Sequence, residues 1–272
     1  MIRIILILFL SFPVALCAQT YQQLSEKAIE YIEMDSLSKA EELLLQALKL
    51  EPKNAKNAML FSNLGLVQRR LGEFDKALES YSFALNFAPL AVPILLDRAA
   101  IYMEMGNTDR AYTDYCQVLD EDKQNKEALL MRAYIYVLRR DYPAARIDYN
   151  RLLEIDPQSY SGRLGLATLE QKEGKFKEAL EILNKMITAT PEDATLYIAR
   201  ADVEREMKHE DLALVDLEEA IRLNPSSADA YLLRGNIYLT QKKKALAKMD
   251  FEKAISLGIP PADLHEQLKQ CK

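Results

Sequence analysis

Arginine is followed by aspartate sixteen residues later at four places that are themselves spaced by 34 residues or a multiple of it: Arg98 with Asp114, Arg132 with Asp148, Arg200 with Asp216 and Arg234 with Asp250. A guanidinium and a carboxylate can share two parallel charge-assisted hydrogen bonds, so the recurring spacing predicts ion pairs. One helix turn cannot bridge sixteen residues, and two elements must bring each pair together. Little else offers reactive chemistry. The two histidines, His209 and His265, are far apart in sequence, and the cysteines Cys17, Cys116 and Cys271 form no close pair. That leaves no cluster with metal-ligand spacing and no nucleophile beside a base, so neither an enzyme nor a metal or other cofactor is expected. The 35 basic and 41 acidic side chains include no basic block able to neutralise a run of phosphates. Nucleic acid is therefore not an expected partner.

The elements that would position the pairs follow from a repeat. Pro157, Pro191 and Pro225 are each 34 residues apart, and the frame extends backward through Lys123 and Pro89 to Pro52, with a three-residue excess at 55–57. Seven units result: 21–54, 58–91, 92–125, 126–159, 160–193, 194–227 and 228–261. Each contains two segments whose apolar residues recur at spacings of three and four, the pattern of a helix buried on one face. Few glycines and abundant Ala, Leu, Glu, Lys and Arg agree, and the fold class is all-α.

Within this frame the charged pairs occupy the seventh and twenty-third positions. Linking each aspartate to the arginine of the next unit would leave Asp148 and Asp250 unmatched, so contact within one hairpin is expected. Both positions adjoin packing positions, which predicts partial burial. Small residues fill the eighth position (Ala28, Gly65, Ala99, Ala133, Ala167, Ala201, Gly235), and alanine fills the twentieth in every unit. There the two helices must approach most closely. Gly72, Gly106 and Gly174 share a turn position where the chain must enter the left-handed region. Asn125, Ser159, Asp193 and Ser227 close their units as N-caps for the next helix. Residues 262–272 read as a solvating cap helix.

The first eighteen residues stand apart. Arg3 precedes an apolar run from Ile4 to Leu16, then Cys17-Ala18 before polar Gln19-Thr20. This predicts a cleaved signal peptide over 1–18, since the run is shorter than a membrane span and carries Pro13. The mature chain is then exported, periplasmic or secreted. Val14-Ala15-Leu16-Cys17 resembles a bacterial lipoprotein box, with Leu16 where that box wants a small residue. Membrane association is expected only if Cys17 is lipidated.

The repeat closely resembles the tetratricopeptide repeat family over residues 21–261, although the first-helix tryptophan of that family is replaced in every unit. Packing in the fifth repeat is further set apart by Arg163 and Glu170, which replace bulky groups. The resemblance implies a right-handed superhelical solenoid of seven hairpins, a non-catalytic scaffold whose first helices hold a peptide or partner protein in a groove. No small-molecule substrate is implied. A subunit of an envelope assembly complex is the alternative. By analogy with the family, the second, fifth, ninth, twelfth and thirteenth positions face the groove. The carboxylate clamp of one chaperone-binding subgroup is missing, because Ser25 and Ile29, or Ser62 and Leu66, stand at its places. The projected groove is apolar in repeats two to four and polar in five and six. An apolar, acid-ended peptide or partner helix is expected across repeats two to four, touching Arg69, Arg70, Met103, Tyr134 and Val137.

Overall fold

The structure, a computed structural model, describes residues 20–272, so the leader read at residues 1–18, with Cys17, lies outside the described residues. Among the described residues there are fifteen α-helices, one 3-10 turn and no strand. They form two compact units, one ending at Asp122 and one spanning Lys123–Lys272. The boundary falls in the turn where Lys123 takes the closing-proline position.

The first unit holds three hairpins: α1 (Tyr21–Glu33) with α2 (Leu37–Leu50), α3 (Asn57–Arg70) with α4 (Phe74–Phe87), and α5 (Val92–Glu104) with α6 (Thr108–Glu121). The second holds four: α7 (Lys126–Leu138) with α8 (Tyr142–Ile155), α9 (Tyr160–Lys172) with α10 (Phe176–Ala189), α11 (Ala194–Glu206) with α12 (Glu210–Leu223), and α13 (Ala228–Thr240) with α14 (Lys244–Ser256). Within each unit, the second helix of a hairpin packs on the first helix of the next. The expected cap helix is shorter than its sequence span. Pro260 and Pro261 lead into a 3-10 turn (Pro261–Leu264), and α15 (His265–Gln270) follows, with Leu264 buried against Phe251 and Ala254.

The helix ends show how the sequence sets the hairpin. The side chains of Asn125, Ser159, Asp193 and Ser227 each accept from a backbone N–H in the first turn that follows. Thr20 starts the fold with a reciprocal cap, its hydroxyl accepting from the Gln23 amide while the Gln23 side chain accepts from its own. At the other end of every first helix the fifteenth residue of the repeat has positive φ: Gly72, Gly106 and Gly174, but also Asp35, Arg140, Lys208 and Lys242. In all seven repeats the next residue donates its N–H to the carbonyl of the eleventh, at 2.7 to 2.9 Å. This is a Schellman closure, which satisfies an orphan carbonyl and turns the chain back on itself.

The core follows the small positions. The twentieth-position alanines have no exposed surface in any repeat, and the large residues at position twenty-four, from Leu44 to Phe251, are at most 3% exposed. A Cβ on Gly65 would stand 2.8 Å from the Tyr81 ring, and one on Gly235 would stand 2.8 Å from Phe251. Glycine lets the wedge of the same hairpin fit, where alanine would force a buried aromatic to shift. The three-residue excess is also built in. Asn57 opens α3 fully buried, accepting from the Tyr21 hydroxyl at 2.9 Å and donating to the Glu51 carbonyl at 2.8 Å. Those bonds fasten the first hairpin to the second.

Candidate partner-binding face

The structure brings each arginine of the sixteen-residue pairs to the aspartate of its own hairpin. Nε meets Oδ2 at 2.8 Å in all four, and Nη2 meets Oδ1 at 2.7 Å (Arg98–Asp114), 2.9 Å (Arg132–Asp148), 2.6 Å (Arg200–Asp216) and 2.9 Å (Arg234–Asp250). The aspartate side chains are 3 to 8% exposed and the arginines 19 to 24%. Two guanidiniums also reach the preceding hairpin, Arg98 through Ser82 and Arg200 through Asn184. Tyrosines lie beside the cations, with Tyr136 5.9 Å from Arg132 and Tyr231 5.5 Å from Arg234. With both carboxylate oxygens taken and little surface, these pairs fasten helices together rather than bind a ligand.

Two of the hairpins that lack the pair use another polar link, which sequence reading missed. Glu170, buried on α9, accepts from Arg146 of the preceding hairpin at 2.5 and 2.9 Å, and Arg146 also meets Glu173. Gln68, buried on α3, donates to Glu41 at 3.0 Å and accepts from Ser80 at 2.7 Å. Both links join the eleventh position of one repeat to the twenty-first of the repeat before it. Their spacings are 24 and 27 residues, and the three-residue insertion accounts for the difference. Arg163, which replaces a bulky group in the same fifth repeat, turns back to donate to the Pro157 carbonyl at 2.8 Å. His209 is half-exposed and lies 2.7 Å from the carboxylate of Glu204 on α11.

The expected contact residues divide between the units. Arg69, Arg70 and Met103 lie in the first, Tyr134 and Val137 in the second. The arginines are not spare donors. Arg69 pairs with Glu104, whose hydrogen bond raises its pKa, and Arg70 pairs with Asp35 at 2.7 Å and reaches the Ile32 carbonyl. Acids on the neighbouring repeats thus neutralise the charge meant for a peptide carboxylate. Burial raises the pKa of the nearby Asp97 carboxyl against the pull of Arg69. Met103 is half-buried, and Val137 packs against the cluster around Leu169. Tyr134 is 46% exposed.

A groove of about 440 Å³ runs across α9, α11 and α13 in the second unit. It is lined by Leu164, Ile198 and Leu232, the fifth position of three successive repeats, and by Thr168, Asp202 and Asn236, the ninth position of the same repeats. Tyr134 holds the ninth position of the repeat before, on α7. The polar side is internally ordered. Gln171 donates to Asp202 at 2.8 Å and to Glu206 at 3.0 Å, and Arg205 donates to Asp202 at 2.6 Å. The five positions expected to face a ligand include most of those that line this groove. Among the described residues, no His, Cys, Asp and Glu group could hold a metal ion, and no helix is long and apolar enough to cross a membrane.

Tetratricopeptide repeat models match residues 26–90, 96–160, 138–203 and 228–257. A crystal structure of a tetratricopeptide repeat protein from Parabacteroides merdae superposes with a TM-score of 0.84 at 37% identity, covering 92% of this chain and 98% of that one. This chain belongs to the tetratricopeptide repeat family. Proteins of this family act in general as protein-interaction scaffolds. More distant solved structures share the fold alone: YrrB, a tetratricopeptide repeat protein described as having an unusual peptide-binding site, at 19% identity and TM-score 0.56 over 74% of this chain and 97% of its own. Pseudomonas aeruginosa PilF aligns at 16% identity and TM-score 0.60 over 77% and 94%. No protein of curated function matches the tetratricopeptide chain.

Proposed function

We propose that this tetratricopeptide chain is a non-catalytic scaffold that holds an extended segment of a partner protein in the groove across α9, α11 and α13. The observation that carries the reading is one groove lined by both an apolar row, Leu164, Ile198 and Leu232, and a polar row, Thr168, Asp202 and Asn236. An extended peptide needs both, since alternate side chains seek apolar surface while its backbone amides seek hydrogen-bond partners. Tyr134 continues the row toward the fourth repeat and would anchor one end of the segment. The first unit suits this less well, because Arg69 and Arg70 already face acids; in the groove Asp202 is likewise held, by Gln171 and Arg205, so Thr168 and Asn236 are the members of the row offered to a backbone.

Peptides selected by display against the immobilised protein supply the test. Thr168→Arg and Asn236→Arg fill the groove and should each weaken the selected peptides by roughly tenfold or more, with helicity unchanged. Undiminished binding to both variants would remove the groove from the reading. We further propose that the chain works outside the cytoplasm, on the support of the apolar leader at residues 1–18. A mature terminus at Gln19 fits a soluble scaffold, whereas lipid on Cys17 would point to a membrane-anchored subunit of an envelope complex.

A further inference from the structure

Three charged residues line the groove across α9, α11 and α13: Lys172, Asp202 and Asp229. Asp202 is already held, with one carboxylate oxygen taken by Gln171 and the other by Arg205. Glu206, beside it on α11, also accepts from Gln171. Lys172 and Asp229 differ from these. Both are exposed, and among the described residues neither has a hydrogen bond or an ion pair.

Their places in the fold explain why they do not meet. Lys172 ends α9, at the thirteenth position of its repeat, whereas Asp229 lies in the first turn of α13, at the second position of its own. The two therefore stand on a diagonal of the groove, at opposite ends of first helices two repeats apart. Helix rise along one direction and two interhelix spacings along the other put them roughly 25 Å apart. Extended chain covers that span in about seven residues. Between them the lining is apolar or neutral apart from the held Asp202, with Leu164, Ile198 and Leu232 beside Thr168 and Asn236. A groove whose charges are balanced at its centre and left over, with opposite signs, at two ends favours the reverse charge pattern in what lies along it. Each charge also suits the dipole of its own helix, a role that concerns stability alone.

We propose that the groove takes a dipolar extended segment of a partner protein, with an acidic side chain at Lys172, a basic one at Asp229 and apolar side chains between. The inference rests on the groove being the partner site. The ammonium of Lys172 is a point charge on a flexible stem that can follow a carboxylate, and Asp229 can accept from a lysine or, through two bonds, from an arginine. A segment charged with one sign throughout is attracted at one end and repelled at the other.

Display of random twelve-residue peptides against the immobilised protein tests the pattern. The parent chain should enrich peptides that carry one acid and one base about seven residues apart around apolar residues. Lys172→Glu should enrich peptides with two bases, and Asp229→Lys peptides with two acids. The double variant should return to one of each, in the reverse order along the peptide. A synthetic peptide selected on the parent should bind each single variant roughly three- to tenfold more weakly, with the difference shrinking at high salt. Both positions are exposed, and circular dichroism melting separates lost binding from lost folding. The helix-dipole role alone predicts a slightly altered melt and unchanged peptides. Selected peptides that bind Thr168→Arg and Asn236→Arg undiminished would remove the groove and this inference with it. Peptides that those two variants abolish, but that lack the paired charges or keep them on Lys172→Glu and Asp229→Lys, would overturn the dipolar pattern and leave the groove as the partner site.

Discussion

Hairpins four and five stand next to each other in the second unit and hold their helices together by different means. Hairpin four uses Arg132 and Asp148, a buried bidentate pair between its own helices. Hairpin five has Leu166 and Ile182 at those positions, and its buried charge, Glu170, turns outward to Arg146 of hairpin four. The same backbone therefore accepts either an ion pair or an apolar pair at positions seven and twenty-three. What differs is where the polar fastening goes, within a hairpin or between two. The first ties a hairpin to itself, while the second ties neighbours into one unit.

The largest effect should come from breaking the pair in hairpin four. Arg132→Ala leaves Asp148 buried without its cation and should cost about 3 to 5 kcal/mol in denaturant unfolding. The double change Arg132→Leu with Asp148→Ile copies hairpin five and should recover most of that loss, to within about 1 kcal/mol, because two apolar groups replace two charges. A double variant as unstable as Arg132→Ala would show that the backbones of the two hairpins are not interchangeable, and would undo the comparison.

A smaller effect is expected at the link between hairpins. Arg146→Met removes the donor to Glu170 and should cost about 1.5 to 3 kcal/mol, the range for hydrogen bonds to charged groups. Arg146 is more exposed than the arginines of the pairs, at 29% against 19 to 24%, so water compensates more of the loss. Because the link joins neighbours, hydrogen exchange should quicken at the junction of α8 and α9 more than inside either hairpin. Uniform quickening across the second unit would contradict an interface role.

The within-hairpin pairs were legible because their spacing repeats with the frame, and a recurring coincidence of residue types is visible without structure. The link from Arg146 to Glu170 occurs once at its spacing, and Gln68 to Glu41 reproduces it only after the insertion is counted, so no period reveals it. Asn57 looked surplus for a similar reason, since its value lies in two hydrogen bonds to residues of another hairpin. The groove positions could be projected from the repeat register, but which of them remain available could not. Arg69 and Arg70 look like free donors until Glu104 and Asp35 are placed beside them.

The smallest effect concerns the turn between the two helices, where hairpin five has Gly174 and hairpin four has Arg140. Both residues adopt positive φ, 76° and 59°, and both precede the amide that closes the Schellman motif. Only glycine reaches this region without a clash between Cβ and the backbone, which costs other residues roughly 1 to 2 kcal/mol. Glycine also gains freedom in the unfolded chain, which opposes the benefit by roughly 0.5 to 1 kcal/mol. The net expectation for Arg140→Gly is a stabilisation of about 0.5 to 1 kcal/mol, and Gly174→Ala should cost about 1 kcal/mol. Arg140 is exposed, so its removal opens no cavity in the core. Thermal melting of the two variants against the parent chain reads both signs. If Arg140→Gly lowered the melting temperature, the arginine side chain would hold more of the turn than the backbone strain costs, and the two turns would not be equivalent despite their shared φ.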